Sequence, residues 1–346
     1  MNLKYHLGIL VHGNLQIGYG HVSRCLTVAD EFLRQGHPVT FFIKQGFAFQ
    51  KELNDAQFRV VSLPDWQPDN IANELTQVDV LLIDVVEADY QDLAWIRAKH
   101  PDLLLATITL FDFSRQARFE HLSFFPNPTV PNGKMIVHNQ TSEGFILCQG
   151  PWYLTFRQEF ANLQKTIHKT ATKLLLTMGG SDPFDLTLQC FKAIETIDIE
   201  ITLILNPLCE SYTQIYDLVQ RRRQRQLPTR LLEKVDNMAL LMTESDVTFL
   251  NGGLSRYEAC MAQTPFIAIS IHEQQYAITQ QLAALGVCVN LGVAEQLDSL
   301  TILRQTEGLL QNHTLRMEMS EKMKNLFDMD GAKRIYNEIT QTRKNF

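Results

Sequence analysis

The stretch Gln16-Ile17-Gly18-Tyr19-Gly20-His21-Val22-Ser23-Arg24 decides the fold of this 346-residue chain. It follows the apolar run 7–11, which is typical of a buried strand, and it opens a helical pattern that ends at Gly36. Gly18 and Gly20 allow a tight turn and let a ligand approach the main chain. Because the first N–H groups of a helix have no partner within it, this strand–turn–helix segment predicts an anion-binding site.

His21 lies at the start of this helix, where an imidazole can take up or release a proton near neutral pH. Arg24 lies one turn later on much the same face. A dinucleotide site would need a third glycine three residues after Gly20, and Ser23 stands there instead. The pattern therefore argues against a nicotinamide or flavin cofactor. The alternative without a function is a tight turn that carries a surface histidine.

The composition argues against several classes of protein. Lys and Arg number 31 against 38 Asp and Glu, and the net charge of -7 does not suit a general nucleic-acid binder. The six cysteines include no Cys-x-x-Cys pair, which predicts a reducing compartment and no structural zinc. There is neither a signal-peptide pattern nor a run of ~20 apolar residues. We therefore expect a cytoplasmic protein with no integral membrane segment.

The first half alternates apolar, strand-like runs with helical patterns, which predicts a parallel sheet covered on both faces. Asp84 and Asp112 follow the apolar runs 78–83 and 103–108. Ligands of such sheets bind at the carboxyl ends of the strands. We therefore expect His21, Asp84 and Asp112 at one edge of the sheet.

The second half repeats this organisation. The apolar run 173–178 leads into Gly179-Gly180-Ser181-Asp182, where the glycines leave room for a phosphate and Ser181 or Asp182 can cap the next helix. The run 246–250 ends in a second glycine turn at 251–255, with Glu258 one helical turn later. Backbone amides for a diphosphate and a carboxylate for ribose hydroxyls suggest a nucleoside-diphosphate ligand. The alternatives are a simple helix cap and a solvated helix glutamate.

The sequence thus predicts an α/β protein of two Rossmann-like αβα domains facing a cleft. We place the first, with His21, at 1–160 and the second, on the nucleotide side, at 161–346. The polar segment 165–173 marks the junction. The last helix is a candidate for return to the first domain.

Together these motifs resemble the B-type glycosyltransferase (GT-B) superfamily. More narrowly, the chain resembles the UDP-sugar hydrolases (PseG) of pseudaminic acid biosynthesis and the related spore-coat polysaccharide proteins (SpsG). The resemblance covers nearly the whole chain and is carried by segments 16–24, 81–84, 150–157, 178–182, 255–259 and 330–334.

The resemblance implies an enzyme that releases UDP from the anomeric carbon of an amino sugar, with His21 as general base and without a metal or other cofactor. On this basis the implied substrate-binding residues are Gly18, Gly20, Arg24, Asp84, Asp112, Gln274 and Gln275. The implied nucleotide-binding residues are Gly179, Gly180, Ser181, Asp182, Gly253, Leu254, Ser255 and Glu258.

Four positions depart from the hydrolase pattern. After the run 103–108 the hydrolases have a pair of aspartates, and only Asp112 is present here. Val85 and Val86 stand where the hydrolases have His-Tyr, and Gln274 stands where they have asparagine. The nucleotide side is therefore kept while the sugar side differs. Three hypotheses remain open: hydrolysis of a UDP-amino sugar, transfer of the sugar to a glycan, lipid or protein acceptor, and non-catalytic binding of a nucleotide sugar. The partners expected are a UDP-sugar, an acceptor or pathway enzymes, and no nucleic acid.

Overall fold

The computed structural model describes residues 4–14, 19–56, 58–109, 118–126, 136–141, 144–179, 182 and 184–346. The chain divides into two compact units. Unit 1 comprises Met1–Arg157 together with Met329–Phe346, and unit 2 comprises Gln158–Asp328. In the described residues, no helix combines the length and the apolar character that crossing a membrane requires. The cytoplasmic location stays a prediction.

Unit 1 contains one eight-stranded sheet. Its strands are β1 (Leu7–Val11), β2 (Val39–Lys44), β3 (Arg59–Leu63), β4 (Val80–Asp84), β5 (Leu104–Ile108), β6 (Leu122–Phe125), β7 (Val137–Gln140) and β8 (Ile146–Gln149). They follow the order β3-β2-β1-β4-β5-β6-β8-β7, and all neighbours are parallel except β7 and β8. The helices that follow the first four strands or precede β5 are α1 (Gly20–Arg34), α2 (Gln50–Asp55), α3 (Pro68–Leu75), α4 (Glu87–Tyr90) and α5 (Trp95–Lys99).

The central strands of the unit 1 sheet, β1, β4 and β5, are buried on both faces, and successive residues of each strand point into cores on opposite sides. Ile9 and Leu82 belong to the core on the side of α1. Leu10 and Leu81 belong to the core on the side of α3 and α5. This two-sided burial explains why the central strands are continuous apolar runs rather than alternating ones.

Unit 2 contains a six-stranded, fully parallel sheet in the order β11-β10-β9-β12-β13-β14. Its strands are β9 (Lys173–Thr177), β10 (Glu200–Ile204), β11 (Thr229–Leu232), β12 (Val247–Asn251), β13 (Phe266–Ser270) and β14 (Cys288–Val293). Its helices are α6 (Leu186–Ile194), α7 (Tyr212–Gln224), α8 (Met238–Glu244), α9 (Ser255–Met261), α10 (Glu273–Ala284), α11 (Ser299–Gln311) and α12 (His313–Met323). Both units thus contain the 3-2-1-4-5-6 strand order of a Rossmann fold.

The last helix, α13 (Gly331–Asn345), belongs to unit 1. Its apolar residues Ile335 and Ile339 are fully buried in the same core as α1. A Cβ atom on Gly331 would lie 1.8 Å from the carbonyl oxygen of Leu154, so only glycine fits at the start of this helix. The segment 329–346 therefore completes the hydrophobic core of unit 1.

Candidate functional site

His21, Arg24 and Asp84 meet at the carboxyl edge of the sheet in unit 1. His21 lies in the first turn of α1, and Asp84 is the last residue of β4, the neighbour of β1. The His21 Nδ1 atom lies 2.6 Å from Asp84 Oδ1. Arg24 donates from Nη2 to the same oxygen at 2.5 Å and from Nε to Oδ2. Three residues predicted from the sequence thus form one cluster.

The cluster fixes the charge of Asp84. Its side chain is fully buried, which by itself would raise its pKa, but Arg24 and His21 outweigh this effect and lower the pKa to about 2. Asp84 is therefore a carboxylate at neutral pH and can only accept hydrogen bonds. Because it accepts from Nδ1 of His21, the proton of a neutral His21 stays on Nδ1 and Nε2 carries the lone pair. The side chain of His21 is 18% exposed, so its Nε2 atom can act as a base toward a ligand.

The amino end of α1 agrees with an anion site at this position. Tyr19 is the N-cap residue, and its side chain makes no capping hydrogen bond. The first turn of α1 carries no acidic residue. The helix dipole therefore favours a negative group there. Gly20 opens the helix, whereas Gly18 and Asp112 lie outside the described residues.

A second histidine–aspartate pair, which the sequence analysis missed, lies beside this cluster. His12, the residue after β1, places Nε2 2.7 Å from Asp89 and accepts at Nδ1 from the N–H of Val86. Its ring stacks on Trp66, and the Nζ atom of Lys44 lies 4.5 Å from the centre of that ring. Burial lowers the pKa of His12 to about 4, so the ring is neutral at neutral pH. His12 follows β1 and Lys44 ends β2. Because ligands of parallel sheets bind at the carboxyl ends of the strands, the sequence could have identified both residues as candidates.

In unit 2, Asp182 caps α6, as the sequence predicted. Its carboxylate accepts from the N–H groups of Leu186 at 2.8 Å and Thr187 at 2.9 Å. Burial raises the pKa of Asp182. These two amides are therefore occupied by the protein itself. Gly180 and Ser181 lie outside the described residues, so their part in nucleotide binding stays a prediction.

Asn251 joins the two glycine turns of unit 2. Its Nδ2 atom donates to the carbonyl of Met178 at 2.5 Å, and its Oδ1 atom accepts from the N–H of Gly253 at 3.0 Å. A Cβ atom on Gly179, which has a φ of +80°, would lie 3.0 Å from that Nδ2. The turns after β9 and β12 are therefore neighbours at one edge of the sheet. Leu254 and Ser255 begin α9, and Glu258 is half-buried on it.

The two glutamines predicted to bind substrate have different environments. Gln275 is 7% exposed, accepts from the N–H of Ile271 at 3.0 Å and packs on Gly252. Gln274 is exposed on α10. Beneath them the buried Arg256 donates to the carbonyl of Gln275 at 3.2 Å. Gln275 thus holds the turn after β13, and a contact of either glutamine with substrate stays a prediction.

The two units have a fold of the GT-B type. Over 97% of this chain and 99% of the other, the structure is similar to MurG of Acinetobacter baumannii, with a TM-score of 0.70 and 14% identity. The structure of a glycosyltransferase of Rickettsia africae ESF-5 has a TM-score of 0.67 and 12% identity, covering 99% of both chains. The spinosyn rhamnosyltransferase SpnG in complex with thymidine diphosphate has a TM-score of 0.62 and 14% identity, covering 96% of this chain and 99% of that one. These similarities confirm the predicted fold.

Among proteins compared by sequence, the chain is similar to the spore coat polysaccharide biosynthesis protein SpsG of Bacillus subtilis strain 168. The two are 26% identical over 339 residues, which cover 95% of this chain and 96% of SpsG. The uncharacterized protein MJ1062 of Methanocaldococcus jannaschii is 24% identical over 282 residues, 78% of this chain and 56% of that protein. No protein-family profile matches the chain. The predicted resemblance to the PseG/SpsG group is confirmed. The solved structures of similar fold include proteins named as glycosyltransferases, in agreement with the predicted enzyme class.

Proposed function

We propose that this protein is a nucleotide-sugar enzyme of polysaccharide biosynthesis that acts at the anomeric carbon of a UDP-linked amino sugar. The observation that carries the proposal is the 2.6 Å contact between His21 and the buried, ionised Asp84. The pair lies where ligands of parallel sheets bind. The similarity to SpsG, whose name records polysaccharide biosynthesis, supports the pathway.

The reaction follows from the charges of the cluster. Nε2 of His21 takes a proton from the attacking water while the water oxygen bonds to the anomeric carbon. The bond from that carbon to the diphosphate breaks, and its electron pair leaves on the nucleotide. Asp84 stabilises the imidazolium that forms, and Arg24 keeps Asp84 ionised. A positioned general base of this kind contributes roughly 10²–10⁴-fold in rate.

Transfer to a sugar, lipid or protein acceptor is the second candidate, because the same base can deprotonate a hydroxyl group. A specific observation favours it: Val85 is buried, with 5% of its surface exposed. Val86 donates its N–H to His12. These residues replace the His-Tyr pair of the hydrolases that the chain resembles, so the protein lacks those polar side chains at these positions.

The nucleotide side of the proposal rests with unit 2. The residues proposed there are Gly179, Gly180, Ser181, Asp182, Gly253, Leu254, Ser255 and Glu258. The hydrogen bonds of Asn251 to Met178 and Gly253 hold the two glycine turns close together, which supports this part of the proposal. Amides in such turns can stabilise the charge that develops on the leaving diphosphate, and one donor of this kind is worth roughly 10²–10³-fold in rate.

The test is product analysis with a panel of UDP-amino sugars, with and without an added acceptor. We expect release of UDP and free sugar by the wild type and a loss of at least ~10²-fold in His21→Ala. His168→Ala is the matched control, since its side chain is 60% exposed in unit 2. Release that needs an acceptor would favour transfer. Unchanged release by His21→Ala would refute the base, and tight UDP binding without turnover under any condition would favour the binding protein.

A further inference from the structure

Four side chains that the proposed function does not use converge at the far strands of the unit 1 sheet. His138 on β7 and Cys148 on β8 are direct cross-strand partners. Glu338 on α13 reaches the same place, and its Oε1 atom lies 3.0 Å from Nε2 of His138. The hydroxyl group of Tyr153 lies 2.5 Å from that nitrogen and 3.1 Å from that oxygen. One imidazole, one thiol, one carboxyl and one phenol thus share a single small volume.

These donors suit one divalent cation. The imidazole, sulfur and carboxylate atoms all lie within 4.8 Å of one another, and no other such group occurs among the described His, Cys, Asp and Glu residues. Zn²⁺ prefers nitrogen and sulfur donors in tetrahedral geometry, with bonds of about 2.0–2.3 Å. The edge of such a tetrahedron is roughly 3.4 Å, so the observed 3.0 Å between Nε2 and Oε1 is already near it. A thiolate and a carboxylate also balance the two positive charges.

The donors differ in exposure, so the site has a buried inner side and a side that opens to solvent. Cys148 is fully buried, whereas the side chain of His138 is 43% exposed and that of Glu338 is 24% exposed. An ion can therefore enter from the solvent side and rest against the buried sulfur. The fourth position is open to the Tyr153 oxygen or to water, as in zinc sites with three protein ligands.

We propose that His138, Cys148 and Glu338 form a zinc-binding site that ties α13 to β7 and β8. The ligands are 10 and 190 positions apart in the sequence, so no short motif announces them. This is why the scattered cysteines predicted no structural zinc. When the metal binds, the thiol proton passes to solvent and the sulfur coordinates as thiolate. The site is independent of the cluster around His21.

The test is a titration of the chelator-treated, full-length protein with Co²⁺, a spectroscopic substitute for Zn²⁺. We expect one equivalent to bind and to produce a thiolate-to-cobalt charge-transfer band that stoichiometric Zn²⁺ removes. Cys148→Ser should abolish the band. Cys209→Ser, at the partly exposed cysteine of unit 2, should leave it unchanged. With Zn²⁺ at 100 times its Kd, the unfolding constant of the wild type should fall about 100-fold.

A variant at the most exposed of the three proposed ligands separates loss of metal binding from a folding defect. His138→Ala removes a side chain that is 43% exposed, so this variant should fold with an unchanged circular dichroism spectrum. It should nevertheless lose Co²⁺ affinity by at least tenfold. A missing band in the wild type, or a band that persists in Cys148→Ser, would overturn the proposal. The same four side chains would then be a metal-free hydrogen-bond network that anchors α13.

Discussion

Replacing Asp84 by asparagine should destabilise unit 1 far more than the loss of one surface charge. The substitution leaves Arg24, which is 6% exposed, without its anion in the protein interior. Removing one partner of a buried ion pair typically costs about 3–5 kcal/mol. For a domain of this size each kcal/mol lowers the Tm by roughly 2–4 °C, so we expect a loss of about 6–20 °C.

The stability of the wild type should also depend on pH through the ionisation of Asp84. The pKa of Asp84 is about 2 in the folded protein, against about 3.9 in an unfolded chain. Because the folded pKa is the lower one, the stabilisation is complete above about pH 4 and is lost as the pH falls toward 2. This lowering of the pKa corresponds to roughly 2–3 kcal/mol of stability at neutral pH. Between pH 5 and pH 2 the wild type should lose about 2 kcal/mol more than Asp84→Asn, because half of the folded molecules still carry an ionised Asp84 at pH 2.

Scanning calorimetry of both proteins over this pH range measures both effects. Glu74→Gln is the matched control, since Glu74 pairs with Arg59 where both side chains are largely exposed, and such pairs contribute below about 1 kcal/mol. The double variant Arg24→Met, Asp84→Leu removes both charges and should be more stable than Asp84→Asn. The reasoning fails if Asp84→Asn is no less stable than Glu74→Gln, or if its pH profile matches the wild type.

Two further predictions concern the last helix, with a control in unit 2, and the second histidine pair. Gly331→Ala should lower the free energy of unfolding by at least about 3 kcal/mol, because its Cβ would collide with backbone at Leu154. Gly308→Ala within α11 meets no atom within 4 Å and should add about 0.5–1 kcal/mol; equal effects in urea unfolding would contradict this packing. His12 should titrate by NMR near pH 4 rather than 6.5, so its contribution to stability is complete above pH 6.5 and falls between 6.5 and 4. A midpoint near 6.5 would mean that the ring is hydrated.

The core of the fold could be predicted because buried parallel strands are apolar on both faces. The runs that became β1, β4 and β9 stand out against the polar turns that follow them. The short edge strand β7, Val137–Gln140, could not be predicted in this way. Its residues are mostly exposed and polar, and its pairing with β8 alone defines it.

The part of the site that lies at the carboxyl ends of parallel strands could be predicted from the sequence. Because parallel strands end at the same edge, His21 and Asp84 could be placed together although they are 63 positions apart. The partner relation between His12 and Asp89 depends on the turn after β4, which no local pattern describes. Similarly, the sequence marks Gln275 as polar, but its burial against Gly252 follows only from the packing of α10.

The position of α13 sets an order for folding during synthesis. The ribosome delivers residues 1–157 first, yet the core of this unit also needs Ile335 and Ile339, which arrive after all of unit 2. Unit 2 is contiguous and can fold as soon as it emerges, while unit 1 has to wait with apolar surface exposed. A nascent chain stalled before residue 329 would therefore contain a complete second unit and an incomplete first one. Such chains are the ones we expect chaperones to hold.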